Sequence, residues 1–150
     1  MNRLTFVCTG NTCRSVMAEH IMRKKLRSLG RELLEVTSAG IAAHSGFSNI
    51  EALFDVLADN GIKYSGNYPR QLDMEVMEEA DLILAMTESH LIFIKELFPD
   101  FPDKVRLLSD YAYGEKVDVP DPFGGGTEVY SMTFEILERY IDYVLKRLNL

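Results

Sequence analysis

Short apolar runs and amphipathic stretches alternate along this chain. Leu4-Thr5-Phe6-Val7 is a continuous apolar run, too short for a helix, and reads as a buried strand over residues 3–8. A helix follows from about Ser15 to Leu29, and Gly30 ends it. Leu34-Glu35-Val36-Thr37-Ser38 reads as a second strand. Asn49 is placed to cap the next helix, in which Ile50, Leu53, Phe54 and Leu57 fall at i, i+3, i+4 and i+7 and make one face for the sheet. Gly61 closes that helix, and residues 64–71 form a loop.

A short helix from about Asp73 to Glu79 leads into a third strand, Asp81–Met86. Thr87 then caps a helix from about Glu88 to Phe98, and Pro99 follows its end. Val105-Arg106-Leu107-Leu108 is the fourth strand. Residues 109–126 read as one long loop rich in Asp, Gly and Pro, a length that in a compact domain tends to mark function. The last helix runs from about Thr127 to Leu148, with Leu137, Tyr140, Ile141, Val144 and Leu148 on its buried face. Strands that alternate with helices predict an α/β fold, a parallel sheet covered by helices on both faces. No linker interrupts the pattern, so residues 1–150 read as a single domain. In such sheets ligands bind beyond the carboxyl ends of the strands.

One stretch lies at that end and carries the chemistry: Cys8-Thr9-Gly10-Asn11-Thr12-Cys13-Arg14-Ser15. A thiol ends the first strand, a turn of small and polar residues follows, and an arginine stands at the mouth of a helix. Successive backbone N–H groups in such a turn can point inward and form an anion-sized cup. The helix N-terminus adds unpaired donors and its positive dipole end. Arg14 adds a planar fork of donors matched to phosphate oxygens. The same field favours the ionised form of Cys8. A nucleophile beneath an oxyanion cradle is suited to phosphoryl transfer.

Cys-x5-Arg-Ser directly after the first strand resembles the low-molecular-weight protein tyrosine phosphatases and their bacterial protein arginine phosphatase relatives. Three further landmarks come in the family's order: Ser38-Ala39-Gly40, Asp81-Leu82-Ile83-Leu84-Ala85-Met86 and Val119-Pro120-Asp121-Pro122-Phe123-Gly124. The resemblance covers nearly the whole chain. It implies four strands in the order 2-1-3-4. It also implies a cysteinyl-phosphate intermediate, no cofactor, and Asp121 as general acid. One residue departs from the family pattern: Val16 stands where Pro usually follows Arg-Ser, and Pro is favoured in a first helical turn.

Each residue of the stretch then has an expected role. Cys8 attacks phosphorus. Thr9, Gly10, Asn11, Thr12, Cys13 and Arg14 bind the phosphate, and Arg14 stabilises the transition state. Ser15 either donates to the Cys8 sulfur or caps the helix, and the two are compatible. Gly10 and Asn11 suit the turn, since both tolerate positive φ. Ser38 is either a partner of Asn11, as in the family, or an ordinary polar strand end. Asp121 protonates the leaving group and later takes a proton from water. Its flanking residues Pro120 and Pro122 restrict the loop. Cys13 is either a redox partner for Cys8, as the resemblance supports, or a small buried residue. His20, His44 and His90 have no metal-ligand spacing and read as surface or loop histidines, with His44 near the cleft.

The choice of substrate rests on three positions. Thr12 stands where tyrosine-directed relatives usually carry Ile or Leu, and a hydroxyl there can meet a guanidinium or a water. Phe123 stands without the adjacent tyrosine pair of many tyrosine-directed members. Ile41-Ala42-Ala43-His44 lacks the large aromatic that many of them use. All three lean toward protein phosphoarginine, with phosphotyrosine as the alternative, because Phe123 can still pack on a ring.

Composition narrows the rest. The net charge of -7 argues against general nucleic-acid binding, and no apolar run is long enough to span a bilayer. The first apolar run is short and enters the cup directly, unlike a signal peptide, so a cytoplasmic monomer acting on phosphorylated proteins is expected. The two cysteines, five apart in one loop, make no disulfide framework and supply no pair beyond the cup for thioredoxin-coupled arsenate reduction. A non-catalytic phosphate-binding module predicts loss of Cys8 or Asp121, and both are present. Neither Gly-x-Gly-x-x-Gly nor a Gly-Lys-Ser/Thr loop occurs, so nucleotide-binding readings fail.

Overall fold

Strand β1 (Arg3–Cys8) is central: it pairs in parallel with β2 (Glu35–Gly40) on one side and with β3 (Leu82–Ala85) on the other. Beyond β3 lies β4 (Val105–Leu107), giving the order β2-β1-β3-β4 in the computed structural model, which describes residues 1–150. The register sets Cys8 opposite Gly40 and Val7 opposite both Ala39 and Ala85.

Side chains alternate between the two faces of β1 with the period of a strand. Leu4, Phe6 and Cys8 join a core with helices α1 (Arg14–Ser28), α2 (Glu51–Asp59), α5 (Leu108–Tyr113) and α6 (Thr127–Arg147). Val7 joins a second core with α3 (Met74–Glu79) and α4 (Glu88–Leu97). Two apolar faces explain why the strands read as continuous apolar runs. They also decide on which side the thiol emerges: Cys8 points to the α1 side. No helix is long and apolar enough to cross a membrane.

Helix ends follow their capping chemistry. Asp73 and Thr87 accept from the backbone N–H groups of Val76 and His90 and start α3 and α4. Gly30, at φ 66°, closes α1 while the Arg31 N–H bonds the Leu26 carbonyl at 2.8 Å, a Schellman end. The start of α1 is different. Its N-cap residue, Cys13, makes no side-chain capping bond, and no acidic residue occupies the first turn. Those N–H donors are left for something else.

Several expectations need correction. Strand β2 is shifted toward Gly40, two residues beyond the expected end. Asn49 does not cap α2; Ile50 takes that position without a side-chain bond. Phe54 is 44 % exposed, and Val56 is buried with Leu53 and Leu57 instead, because α2 packs chiefly on α6 rather than on the sheet. The long loop does not begin at residue 109: Leu108, Tyr111 and Ala112 bury one face of α5, which Gly114 stops in the left-handed conformation. On the exposed side of α1, Arg23, Lys24 and Lys25 tie the helix to its neighbours. Arg23 donates to the Val36 carbonyl at 2.8 and 3.0 Å, Lys24 donates to the Asn60 carbonyl, and Lys25 pairs with Asp142 on α6 at 2.9 Å.

Candidate active site

The end of β1 delivers Cys8, and the uncapped start of α1 delivers Arg14; residues 9–13 bend between them. The bend depends on Asn11, which sits at φ 54°. Its amide orientation is fixed, because the backbone N–H of Arg70, which can only donate, meets Oδ1 at 2.8 Å. Nδ2 therefore donates, to Ser38 Oγ and to Ser15 Oγ, both at 2.9 Å. Ser38 in turn donates to Glu19 Oε1 at 2.7 Å. Burial is the main cause of a raised pKa at Glu19, opposed by Ser38 and Arg23. Asn67 adds a further tie, from Nδ2 to the Asn11 carbonyl at 3.1 Å.

This network has a direction. Since Ser15 Oγ accepts from Asn11, its own proton is free for Cys8 Sγ, 2.9 Å away. The sulfur is placed to accept that proton. Ser15 is fully buried and Cys8 nearly so, yet Cys8 forms part of the floor of an open cleft of about 180 Å³. A larger hollow of about 420 Å³ lies between α1, α2 and α6, lined by Ile21, Lys24, Lys25 and Glu138, but it holds no nucleophile.

Beside the cup a strand passes at the closest possible range. A Cβ on Gly40 would lie 2.5 Å from the Thr9 carbonyl oxygen and 2.9 Å from the Asn11 nitrogen. Only a glycine leaves room there.

Arg14 is 6 % exposed. Nη1 donates to the Val119 carbonyl at 3.0 Å, and Nη2 lies 3.6 Å from Asp121 Oδ2. The loop that carries Asp121 is anchored upstream: the Val119 N–H bonds the Met86 carbonyl at 3.0 Å, and Asp118 accepts from the Glu88 N–H at 2.9 Å. Asp121 Oδ1 accepts from the Phe123 N–H at 3.1 Å, a local turn that fixes the carboxylate. Its side chain is half exposed, so it faces both Arg14 and solvent. Phe123 stands at the rim, 66 % exposed, and Thr12 lines the wall.

The expected site residues therefore converge. Cys8, Thr9, Gly10, Thr12, Cys13 and Arg14 share one cleft with Asp121 and Phe123, and Asn11 and Ser15 support it from behind. His44 lines the same cleft. Cys13 and Cys8 are both free thiols. Cys13 Sγ lies 3.1 Å from the hydroxyl of Tyr130 on α6, and burial is the first cause of its raised pKa. Two histidines are not where they were expected. His90 is buried, with Nε2 2.8 Å from Thr9 Oγ1, and His20 is a half-buried helix residue against the Tyr64 ring. Burial is the main cause lowering each of their pKa values to about 4.

Asn67, Arg70 and His90 went unseen in the sequence, because each reaches the cup from a distant stretch; Glu19, one helical turn beyond Ser15, went unseen because it acts only through Ser38. Only Ser38 among such partners carried a signal, through the family resemblance.

Known proteins share this chain's sequence and fold along nearly its whole length. The protein-arginine-phosphatase of Bacillus subtilis is 39% identical to this chain, across 97% of the chain and 96% of the relative. The low molecular weight protein-tyrosine-phosphatase Etp of Escherichia coli K12 is 30% identical, across 99% and 95%. A solved structure of the arginine phosphatase YwlE, a mutant with a phosphorylated active-site serine, superposes with a TM-score of 0.93 at 36% identity, covering 98% of this chain and 95% of that one. The family model described as low molecular weight phosphotyrosine protein phosphatase matches residues 3–150, and the chain belongs to that family.

Proposed function

We propose that this chain is a metal-independent protein phosphatase that removes phosphate from protein phosphoarginine through a phosphocysteine intermediate. One observation carries the reading: Cys8 Sγ lies 2.9 Å from Ser15 Oγ at the floor of a cleft that also holds the Arg14 guanidinium and the Asp121 carboxyl. In the first step the sulfur attacks phosphorus in line. An S–P bond forms, the P–N bond to the arginine breaks, and Asp121 gives its proton to the departing nitrogen. In the second step Asp121 takes a proton from water, the water oxygen attacks phosphorus, and the S–P bond breaks to release inorganic phosphate and the thiolate. The transferring group is highly charged and loosely bonded at the transition state, so fixed donors do most of the work. Arg14 and the open N–H groups at the start of α1 are such donors. They are placed before substrate arrives and need no divalent ion.

Thr12 and the 39% identity to an arginine phosphatase support phosphoarginine as the substrate. Phosphotyrosine is the second reading, favoured by the exposed ring of Phe123 at the rim. A cytoplasmic compartment belongs to the proposal, because a free-thiol nucleophile persists where thiols are kept reduced. The test compares kcat/KM on matched phosphoarginine and phosphotyrosine peptides in the presence of a chelator, with Cys8→Ser as control. The reading expects Cys8-dependent turnover that favours phosphoarginine. Equal rates in wild type and Cys8→Ser refute the phosphatase, and a preference for phosphotyrosine refutes the substrate.

A further inference from the structure

His90 has no part in the reaction as described, yet it is 4 % exposed and touches the cup. It is the third residue of α4, and its backbone N–H bonds the Thr87 hydroxyl at 3.1 Å, which fixes the turn that carries it. Its Nε2 lies 2.8 Å from Thr9 Oγ1, while its buried Nδ1 has no hydrogen-bond partner in the protein.

That asymmetry selects a tautomer. A neutral imidazole carries one N–H and one lone pair. A buried N–H without a partner is rarer and costlier than an acceptor without one. The proton therefore belongs on Nε2, and Nε2–H donates to Thr9 Oγ1. The ring is neutral: burial and the nearby charge of Arg14 lower its pKa to about 4, against smaller opposing effects of Asp118 and Asp121.

The consequence falls on Thr9. Its oxygen is engaged by His90, so its own proton points elsewhere, and Thr9 Oγ1 makes no other hydrogen bond. Thr9 lines the cleft beside Cys8, Arg14 and Asp121. We propose that the Thr9 hydroxyl is a side-chain donor to the bound phosphoryl group, supplementing the backbone N–H cup, and that His90 is the positioning residue that aims it. The inference rests on the phosphatase reading above and adds to it a contact from the loop after β1 to α4.

The experiment uses the intact chain with Thr9→Val, His90→Phe, His90→Gln and the double variant Thr9→Val/His90→Phe. Two quantities are read: the Kd of orthovanadate, which needs no turnover, and kcat/KM on a phosphoarginine peptide. Thr9→Val keeps the shape of the side chain and loses the donor. It is expected to weaken vanadate binding and lower kcat/KM by about tenfold, the worth of one hydrogen bond to a charged group. His90→Phe is expected to cost a similar factor. The double variant is expected to be no worse than either single one, because both remove the same donor. Gln presents an N–H near the place of Nε2, so His90→Gln is expected to stay within about threefold of wild type, well short of the loss of that bond.

An unaltered vanadate affinity in Thr9→Val overturns the proposal, as do additive losses in the double variant. So does His90→Gln as impaired as His90→Phe. If His90→Phe fails to fold, Thr9→Val and His90→Gln still decide. Should wild type bind vanadate but show no Cys8-dependent hydrolysis, the phosphatase reading fails instead, and the vanadate series judges the Thr9 contact alone.

Discussion

Asn11 Nδ2 lies 2.9 Å from Ser15 Oγ, and this contact takes up one acceptor site of the serine while leaving its proton free. That proton can be given to Cys8 Sγ, 2.9 Å away. The nucleophile is thus prepared by a residue that does not touch it. Ser15→Ala removes the donor and leaves Asn11 without one of its acceptors. A hydrogen bond to a charged group contributes about 1.5–3 kcal/mol, so kcat is expected to fall about 10- to 100-fold with KM little changed. Steady-state kinetics on a phosphopeptide checks this, and an unaltered kcat contradicts it.

Thr12, on the wall of the cleft, is the residue proposed to discriminate among substrates. Thr12→Ile replaces a hydroxyl by apolar bulk where a guanidinium would pass. The ratio of kcat/KM for phosphoarginine over phosphotyrosine peptides is expected to drop by about tenfold or more, since a site built for a polar contact rejects poorly once that contact is gone. An unchanged ratio refutes the role given to Thr12.

Gly40 guards the shape of the cup from the neighbouring strand. A methyl there would press on the Thr9 carbonyl at 2.5 Å, and that atom is backbone, which cannot swing away. Gly40→Ala is expected to weaken vanadate binding at least tenfold and to cost about 1–3 kcal/mol of stability from overpacking. Calorimetry with vanadate and urea unfolding test both. Wild-type affinity in the variant is the contrary result.

Much of this was visible before any coordinates. Alternating apolar runs gave the layers, and Cys8 through Ser15 gave the cup, because a strand, a turn and a helix start are local and their chemistry is contiguous. Most of the rest was hidden because it depends on contacts between distant stretches. Arg70 orients Asn11 through a backbone N–H, which no side-chain pattern encodes. Phe54 had helical spacing suited to a core, but α2 meets α6 at an angle that buries Val56 instead. Helix α5 has only six residues, too few for a periodicity to stand out among Asp110, Gly114 and the polar loop that follows. His90 looked like any polar residue in a first helical turn until the fold closed over it.

Burial of that histidine also shapes stability against pH. The folded chain lowers the pKa of His90 from 6.5 to about 4, so between those values the unfolded chain binds a proton that the folded chain refuses. The contribution is complete above pH 6.5 and is lost as pH falls toward 4. By pH 5 the loss amounts to about 2 kcal/mol, at 1.36 kcal/mol per pKa unit. His20, lowered in the same direction, adds to the same slope. Urea unfolding at pH 7 and pH 5 is expected to show a smaller loss on acidification in His90→Gln than in wild type. Equal losses contradict the assignment.

The central claim is that phosphate passes through the sulfur of Cys8, and trapping the intermediate tests it most directly. In Asp121→Asn the leaving group is still expelled slowly, but no carboxylate remains to activate water, so the second step is crippled. Rapid acid quench of that variant with a phosphoarginine peptide, followed by mass spectrometry, is expected to place one phosphoryl group on Cys8. A phosphoryl group on another residue, or turnover of the peptide with no phosphoenzyme in either Asp121→Asn or wild type, contradicts the account.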